Sequence, residues 1–214
     1  MTQNTDPRPL YRDALAWVRD LAAHVPAERL TDPTPCAEWD VRGLLGHLVA
    51  TVDRARVVGE GGDPQRALRY RQARQDAGAG TSGPSDLMPR VVEGVADDGW
   101  VDALTVAEDK AAAVWADDAR LAVLVTVPWG QVPGRAALFG YLREVLVHGW
   151  DLAVATDQEV EADASTATAV LGETRRALPA EPRGGPIPFA AAVEPRHDAG
   201  PTERLANWCG HARG

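Results

Sequence analysis

The stretch from Arg135 to Thr156, RAALFGYLREVLVHGWDLAVAT, constrains this chain more than any other. Apolar residues recur at Leu138, Tyr141 or Leu142, Val145, Leu146, Leu152 and Ala153, the spacing of a buried helical face. Within that helix sit Glu144 and His148, four positions apart. Four residues turn a helix by about 400° and advance it about 6 Å, so both side chains project from nearly the same line. A carboxylate and an imidazole on one inward line can hold a metal ion between packed helices. Asp151 lies one further turn along, near the same stripe.

A third donor comes from upstream. Asp40 is a good N-cap, and it releases a helix over Val41–Gly59 whose apolar face is Leu44, Leu45, Leu48, Val52 and Ala55. His47 falls on or beside that face. Taken alone it reads as a core histidine; beside Glu144 and His148 it reads as a ligand.

The rest of the chain supplies the packing partners. A first helix is expected over Leu10–Val25, with Pro9 in its first turn and Leu10, Ala14, Trp17, Val18 and Leu21 on one face. Glu60–Ser85 is rich in Gly, Pro and Ser around an arginine segment, Arg66–Arg74, and reads as a surface excursion. A third helix is expected from Asp86 to Asp117, interrupted near Gly94–Gly99 and burying Trp100, Leu104, Ala111, Val114 and Trp115. Leu121–Val127 is a short β-branched run, and the turn residues Pro128–Gly134 make a small hairpin or extended connector. Ala164–Leu178 reads as a further helix, Pro179–Pro188 as irregular, Phe189–Val193 as a short extended piece and Thr202–Cys209 as a small terminal helix. The fold class that follows is all-α: a four-helix bundle over residues 9–178, with a C-terminal extension over 179–214 packed on it. His197 and His211 lie in polar terminal parts and receive no role.

Charge narrows the partners. A net charge of −9 argues against nucleic acid, whose binding needs a basic stripe, and against anionic membranes. No apolar run is long enough to cross a bilayer, and the N-terminal residues lack a signal-peptide core. The two cysteines, Cys36 and Cys209, form no CxxC, so a reduced cytoplasm is the expected setting. Cys36 lacks a neighbouring His or Lys to activate it and reads as a packing residue. Apolar outer helix faces are compatible with a homodimer.

Two imidazoles and one carboxylate with open positions describe a catalytic divalent site. Zinc suits such mixed donors, and nickel, iron and manganese share them. In this reading His47, Glu144 and His148 hold the ion. Asp151 orients His148 or stands as a helix-surface charge, and Tyr141 either meets a substrate or packs. A metal-free bundle with hydrogen-bonded His and Glu side chains is the alternative.

The segments Thr34–Arg42 (TPCAEWDVR), Gly46–Val49 (GHLV), Pro128–Gly130 (PWG) and Val147–Ala153 (VHGWDLA) resemble the actinobacterial DinB-like metal-binding proteins related to the N-terminal domain of mycothiol-dependent maleylpyruvate isomerase. The resemblance spans Leu10 to Leu178. It implies a DinB-like bundle, His47, Glu144 and His148 as metal ligands, zinc as the metal and mycothiol as a cosubstrate. The isomerase has an additional C-terminal domain, and this chain has no room for a full one, so a reaction other than maleylpyruvate isomerisation is expected. The expected function is a thiol-dependent transferase or isomerase acting on a small electrophile. The alternative is a non-catalytic metal- or small-ligand-binding module.

Overall fold

Asp6 opens the first helix. Its carboxylate accepts the backbone N–H of Arg8 at 3.0 Å, and Pro7 fills the first helical position, where a missing N–H costs nothing. This helix, α1, runs Pro7–Ala23, so it begins and ends somewhat earlier than Leu10 and Val25. The computed structural model describes residues 5–62, 90–127, 130–184 and 189–213. Most of the expected excursion over Glu60–Ser85, including Arg66–Arg74, lies outside the described residues.

Helix α2 occupies Val41–Gly59, with the Asp40 carboxylate accepting the Gly43 N–H at 2.8 Å as its cap. Helix α3 covers Trp100–Trp115. The expected start at Asp86 lies outside the described residues; residues 90–99 are not helical, so the break expected near Gly94–Gly99 is present and extends back to Arg90. Tertiary contact overrides local propensity there. The Val92 N–H donates to the Gly46 carbonyl at 3.0 Å, and Gly94 takes a φ of +77°. The segment is thereby laid across α2.

A short helix α4 (Ala119–Ala122) precedes an antiparallel hairpin of β1 (Leu124–Val127) and β2 (Gly130–Pro133). Its register sets Leu124 opposite Pro133 and Val127 opposite Gly130. Leu121 and Ala122, expected in the β-branched run, belong to the helical turn instead. The hairpin feeds α5, Gly134–Ala155, which buries Leu138, Leu142, Leu146, Trp150 and Leu152 completely. Helix α6 (Ala164–Ala177) is capped by Asp163, which accepts the Thr166 N–H at 2.8 Å. Phe189–Val193 forms no strand, although the Val193 N–H donates to the Asn207 carbonyl at 2.9 Å. Helix α7, Pro201–Trp208, is the last helix among the described residues. Glu161 caps it by accepting the N–H groups of Thr202 and Glu203 at 2.9 and 3.2 Å.

Helices α1, α2, α3 and α5 form a four-helix core: α2 packs on α3 and α5, and α1 packs on α5 and α3. Helices α6 and α7 pack together and against α5. One apolar cluster runs through all of these elements, which leaves polar groups between α2 and α5 conspicuous. No helix among the described residues is long and apolar enough to cross a membrane.

Candidate metal centre

His47 and His148 meet between α2 and α5, with ring centroids 4.7 Å apart at an interplanar angle of 83°. Both are buried. Donor atoms of His47, Glu144 and His148 all lie within 4.8 Å of one another. The structure therefore brings together the three residues singled out from sequence.

Hydrogen bonds fix which nitrogen of each ring faces the centre. His47 Nδ1 lies 2.9 Å from the Arg90 carbonyl, which can only accept, so Nδ1 carries the proton and Nε2 keeps a lone pair. Glycine at position 46 makes this possible. The Val92 carbonyl occupies the place that a Cβ on Gly46 would need, so only glycine lets the Arg90–Val92 backbone come so close. His148 Nδ1 donates to Asp151 Oδ2 at 3.0 Å, and its Nε2 stands 3.7 Å from Glu144 Oε2. Asp151 is fully buried and also accepts from His211, whose Nδ1 is 3.0 Å from Oδ1.

The walls come from three further segments. Trp39 stacks on His47 with centroids 4.0 Å apart, and the Arg90 guanidinium lies over the Trp39 ring at 5.4 Å. The Thr34 hydroxyl holds the Trp39 loop closed, within 2.9 Å of the Cys36 carbonyl and 2.8 Å of the Trp39 carbonyl. On α2, Thr51 and Arg54 continue the stripe of His47 at four and seven residues along, so all three face the centre. Thr51 Oγ1 is 3.3 Å from His47 Nε2 and accepts from Arg54 Nη2 at 2.6 Å. Arg143 Nη2 bonds Glu144 Oε1 at 2.9 Å, which leaves Oε2 turned toward His148.

Electrostatics follow from burial and charge. Burial, with the neighbouring His148 and Arg54, pushes the His47 pKa down to about 3, so the ring is neutral at physiological pH. Burial also works against a cation on His148, but the Asp151 and Glu144 carboxylates outweigh it and push the pKa up to about 9. For Glu144, burial favours the neutral acid, yet His148 and Arg143 hold the carboxyl well below its ordinary range. The centre thus holds a neutral imidazole, an imidazolium and two carboxylates. Cys36 has its thiol within 4.8 Å of donor atoms of His148 and Asp151, but burial pushes its pKa up to about 11. It is not a ready thiolate. Tyr141 is buried on α5 and its phenol is pushed up by burial.

The fit to a divalent ion can be judged from the donors. Metal–ligand distances of about 2.0–2.2 Å place tetrahedral donors roughly 3.3–3.6 Å apart. The Glu144–His148 separation of 3.7 Å is close to that, and all three donors lie within 4.8 Å of one another. Both histidines have Nδ1 held by an acceptor, the usual backing of metal-ligating imidazoles. Sequence reasoning placed the three donors and Asp151 but gave no part to Trp39, Thr51, Arg54, Arg90 or His211. Thr51 and Arg54 were discoverable, since they sit four and seven residues after His47 on one helix.

Comparison with known proteins gives three findings. Residues 11–153 match the family described as the mycothiol maleylpyruvate isomerase N-terminal domain. Two uncharacterised proteins of Mycobacterium tuberculosis, one from each of two strains, are each 28% identical over 205 residues, covering 96% of this chain and 97% of theirs. A crystal structure of the mycothiol-dependent maleylpyruvate isomerase superposes with a TM-score of 0.51 at 13% identity, over 77% of this chain and 68% of that one, a likeness of fold.

Proposed function

The chain belongs to the mycothiol maleylpyruvate isomerase N-terminal domain family, and from that premise we propose that it is a metal- and thiol-dependent enzyme, a transferase or isomerase acting on a small electrophile. One observation carries the reading. His47, Glu144 and His148 converge on one point while Arg90 and Asp151 occupy the far nitrogen of each ring. Metal-ligating imidazoles are ordinarily backed in this way.

An ion bound there, zinc by the resemblance to the family, would supply a positive charge that lowers the pKa of a thiol such as mycothiol and keeps the sulfur nucleophilic. The chain's own residues do the remaining work. Trp39 covers His47 and limits water at the centre. Glu144 is held ionised by Arg143. Arg54 brings a cation to the wall: among the described residues its guanidinium bonds the Thr51 hydroxyl and pairs with no carboxylate. Such a group suits an electrophile that carries an anionic substituent.

The test is metal content of untagged protein by mass spectrometry, beside His148→Ala, followed by thiol consumption against a panel of electrophiles. About one equivalent of metal in the wild type, lost in the variant, and metal- and thiol-dependent consumption of the electrophile are expected for such a site, with the thiol used up by a transferase and regenerated by an isomerase. Protein that stays empty after incubation with zinc sinks the metal reading, and a loaded protein indifferent to thiol across the panel sinks the enzymatic one.

A further inference from the structure

Asp151 has no solvent exposure, yet it is shared by two imidazoles. His148 Nδ1 donates to Oδ2 at 3.0 Å, and His211 Nδ1 stands 3.0 Å from Oδ1 and 2.9 Å from Oδ2. His148 is three residues away on the same helix; His211 is sixty residues further on. Its arrival is built by the end of α7. Gly210 takes a φ of +95°, its N–H donates to the Asn207 carbonyl and the His211 N–H donates to the Ala206 carbonyl, both at 3.0 Å. These paired bonds around a left-handed glycine are a Schellman stop, which turns the chain sharply and points the next residue back along the helix. The Asn207 side chain then donates to the His211 carbonyl at 2.9 Å. Arg213 lies over the Trp150 ring at 5.7 Å and bonds the buried Glu203, so the segment is tied on both sides of His211.

We infer that His211 is a positioning residue for the metal centre: by donating to Asp151 it fixes the carboxylate that holds the His148 ring with Nε2 toward Glu144 and His47. A carboxylate turns freely about its last bond when only one donor holds it. Two donors from different directions fix its plane, and a fixed plane fixes the ring that donates to it. His211 does not reach the three donor atoms itself; it acts through Asp151. The inference rests on the metal-centre reading for its consequence and on hydrogen-bond geometry for its content.

The experiment has two arms, so that the two readings fail separately. In metal-free protein, the imidazole N–H proton on His148 Nδ1 is followed by nitrogen-15 NMR and its exchange with water is timed. In the second arm, zinc affinity is measured by competition with a chelating indicator. Wild type is compared with His211→Ala, which removes the donor, and His211→Asn, which offers an N–H near the position of Nδ1. In His211→Ala the His148 N–H is expected to exchange on the order of tenfold faster. Zinc affinity is expected to fall roughly 10–100-fold, as for other residues that back a metal ligand. His211→Asn should recover most of both. His211→Phe, which keeps the ring volume without the donor, gives the same comparison if His211→Ala fails to fold. A His148 N–H that stays equally protected in the donorless variant overturns the inference, as does a His211→Asn variant no better than His211→Ala. A wild type that takes up no zinc defeats the metal reading alone, while the NMR arm still decides the part played by His211.

Discussion

The Val92 carbonyl sits where a side chain on Gly46 would begin, and the Val92 N–H donates to the Gly46 carbonyl at 3.0 Å. This backbone contact lays residues 90–92 on α2 and delivers the Arg90 carbonyl to His47 Nδ1. Gly46→Ala is therefore expected to destabilise the fold by about 1–3 kcal/mol, the usual range for forcing extra atoms into a packed core. Zinc affinity should fall with it, because the acceptor that sets the His47 tautomer must move. Urea denaturation and chelator competition read the two effects; an alanine variant indistinguishable from wild type in both would contradict the packing described.

The two histidines give opposite pH dependence to the metal-free protein. His148 has a folded pKa of about 9, above the ordinary imidazole value. Its stabilising contribution is fully present below about pH 6.5 and is lost as pH rises through 9. His47 is held at about 3, so its environment opposes protonation, and stability is lost as pH falls below about 6.5. With respect to this pair, metal-free protein should be most stable near neutrality, as thermal melts across pH would show.

Metal binding should reverse the alkaline limb. At pH 7 His148 must surrender a proton to become a ligand, whereas His47 and Glu144 are already deprotonated. Calorimetric titration with zinc in buffers of different ionisation enthalpy should report about one proton released at pH 7, declining toward none above pH 9. Release of no proton at neutral pH would mean that His148 is not the group displaced.

On the proposed function, removal of Arg54 should separate substrate recognition from metal binding. It lies on the His47 stripe of α2 and bonds Thr51. Arg54→Leu is expected to leave zinc content unchanged and to raise KM for an anionic electrophile roughly tenfold to a hundredfold, the worth of one lost charge-assisted hydrogen bond. An uncharged electrophile of similar shape should be affected far less. Equal losses for both substrates would show that Arg54 acts on the fold instead.

Asp40 joins the roof of the site to the helix beneath it. Its carboxylate caps α2 through the Gly43 N–H, immediately after Trp39. Asp40→Ala should cost about 1 kcal/mol in guanidinium denaturation, with little cost for Asp40→Ser, which keeps a capping oxygen.

What was legible in the sequence was local. Helical spacing alone aligned Glu144, His148 and Asp151, and the Asp40 cap placed α2 at Val41–Gly59 with His47 on it. The break expected near Gly94–Gly99 begins earlier, at Arg90, because that segment is shaped by the bonding of Val92 to Gly46 and not by its own preferences. His211 was passed over for a similar reason. Nothing in ARG around it marks a ligand-backing histidine; only the turn at Gly210 and the docking of α7 on α5 bring it to Asp151. The Arg90 carbonyl was invisible in principle, since every residue has one.

Placing Glu144, His148 and Asp151 on a single helix has an evolutionary consequence. Their relative phase is set by the pitch of α5, so no insertion or deletion elsewhere in the chain can shift one against another. The covering pieces, Thr34–Trp39 and Arg90–Gly99, are loops, where length and sequence drift most readily. Descendants of such a scaffold can remodel the cover freely, while the side chains inherited on α5 keep their spacing unchanged.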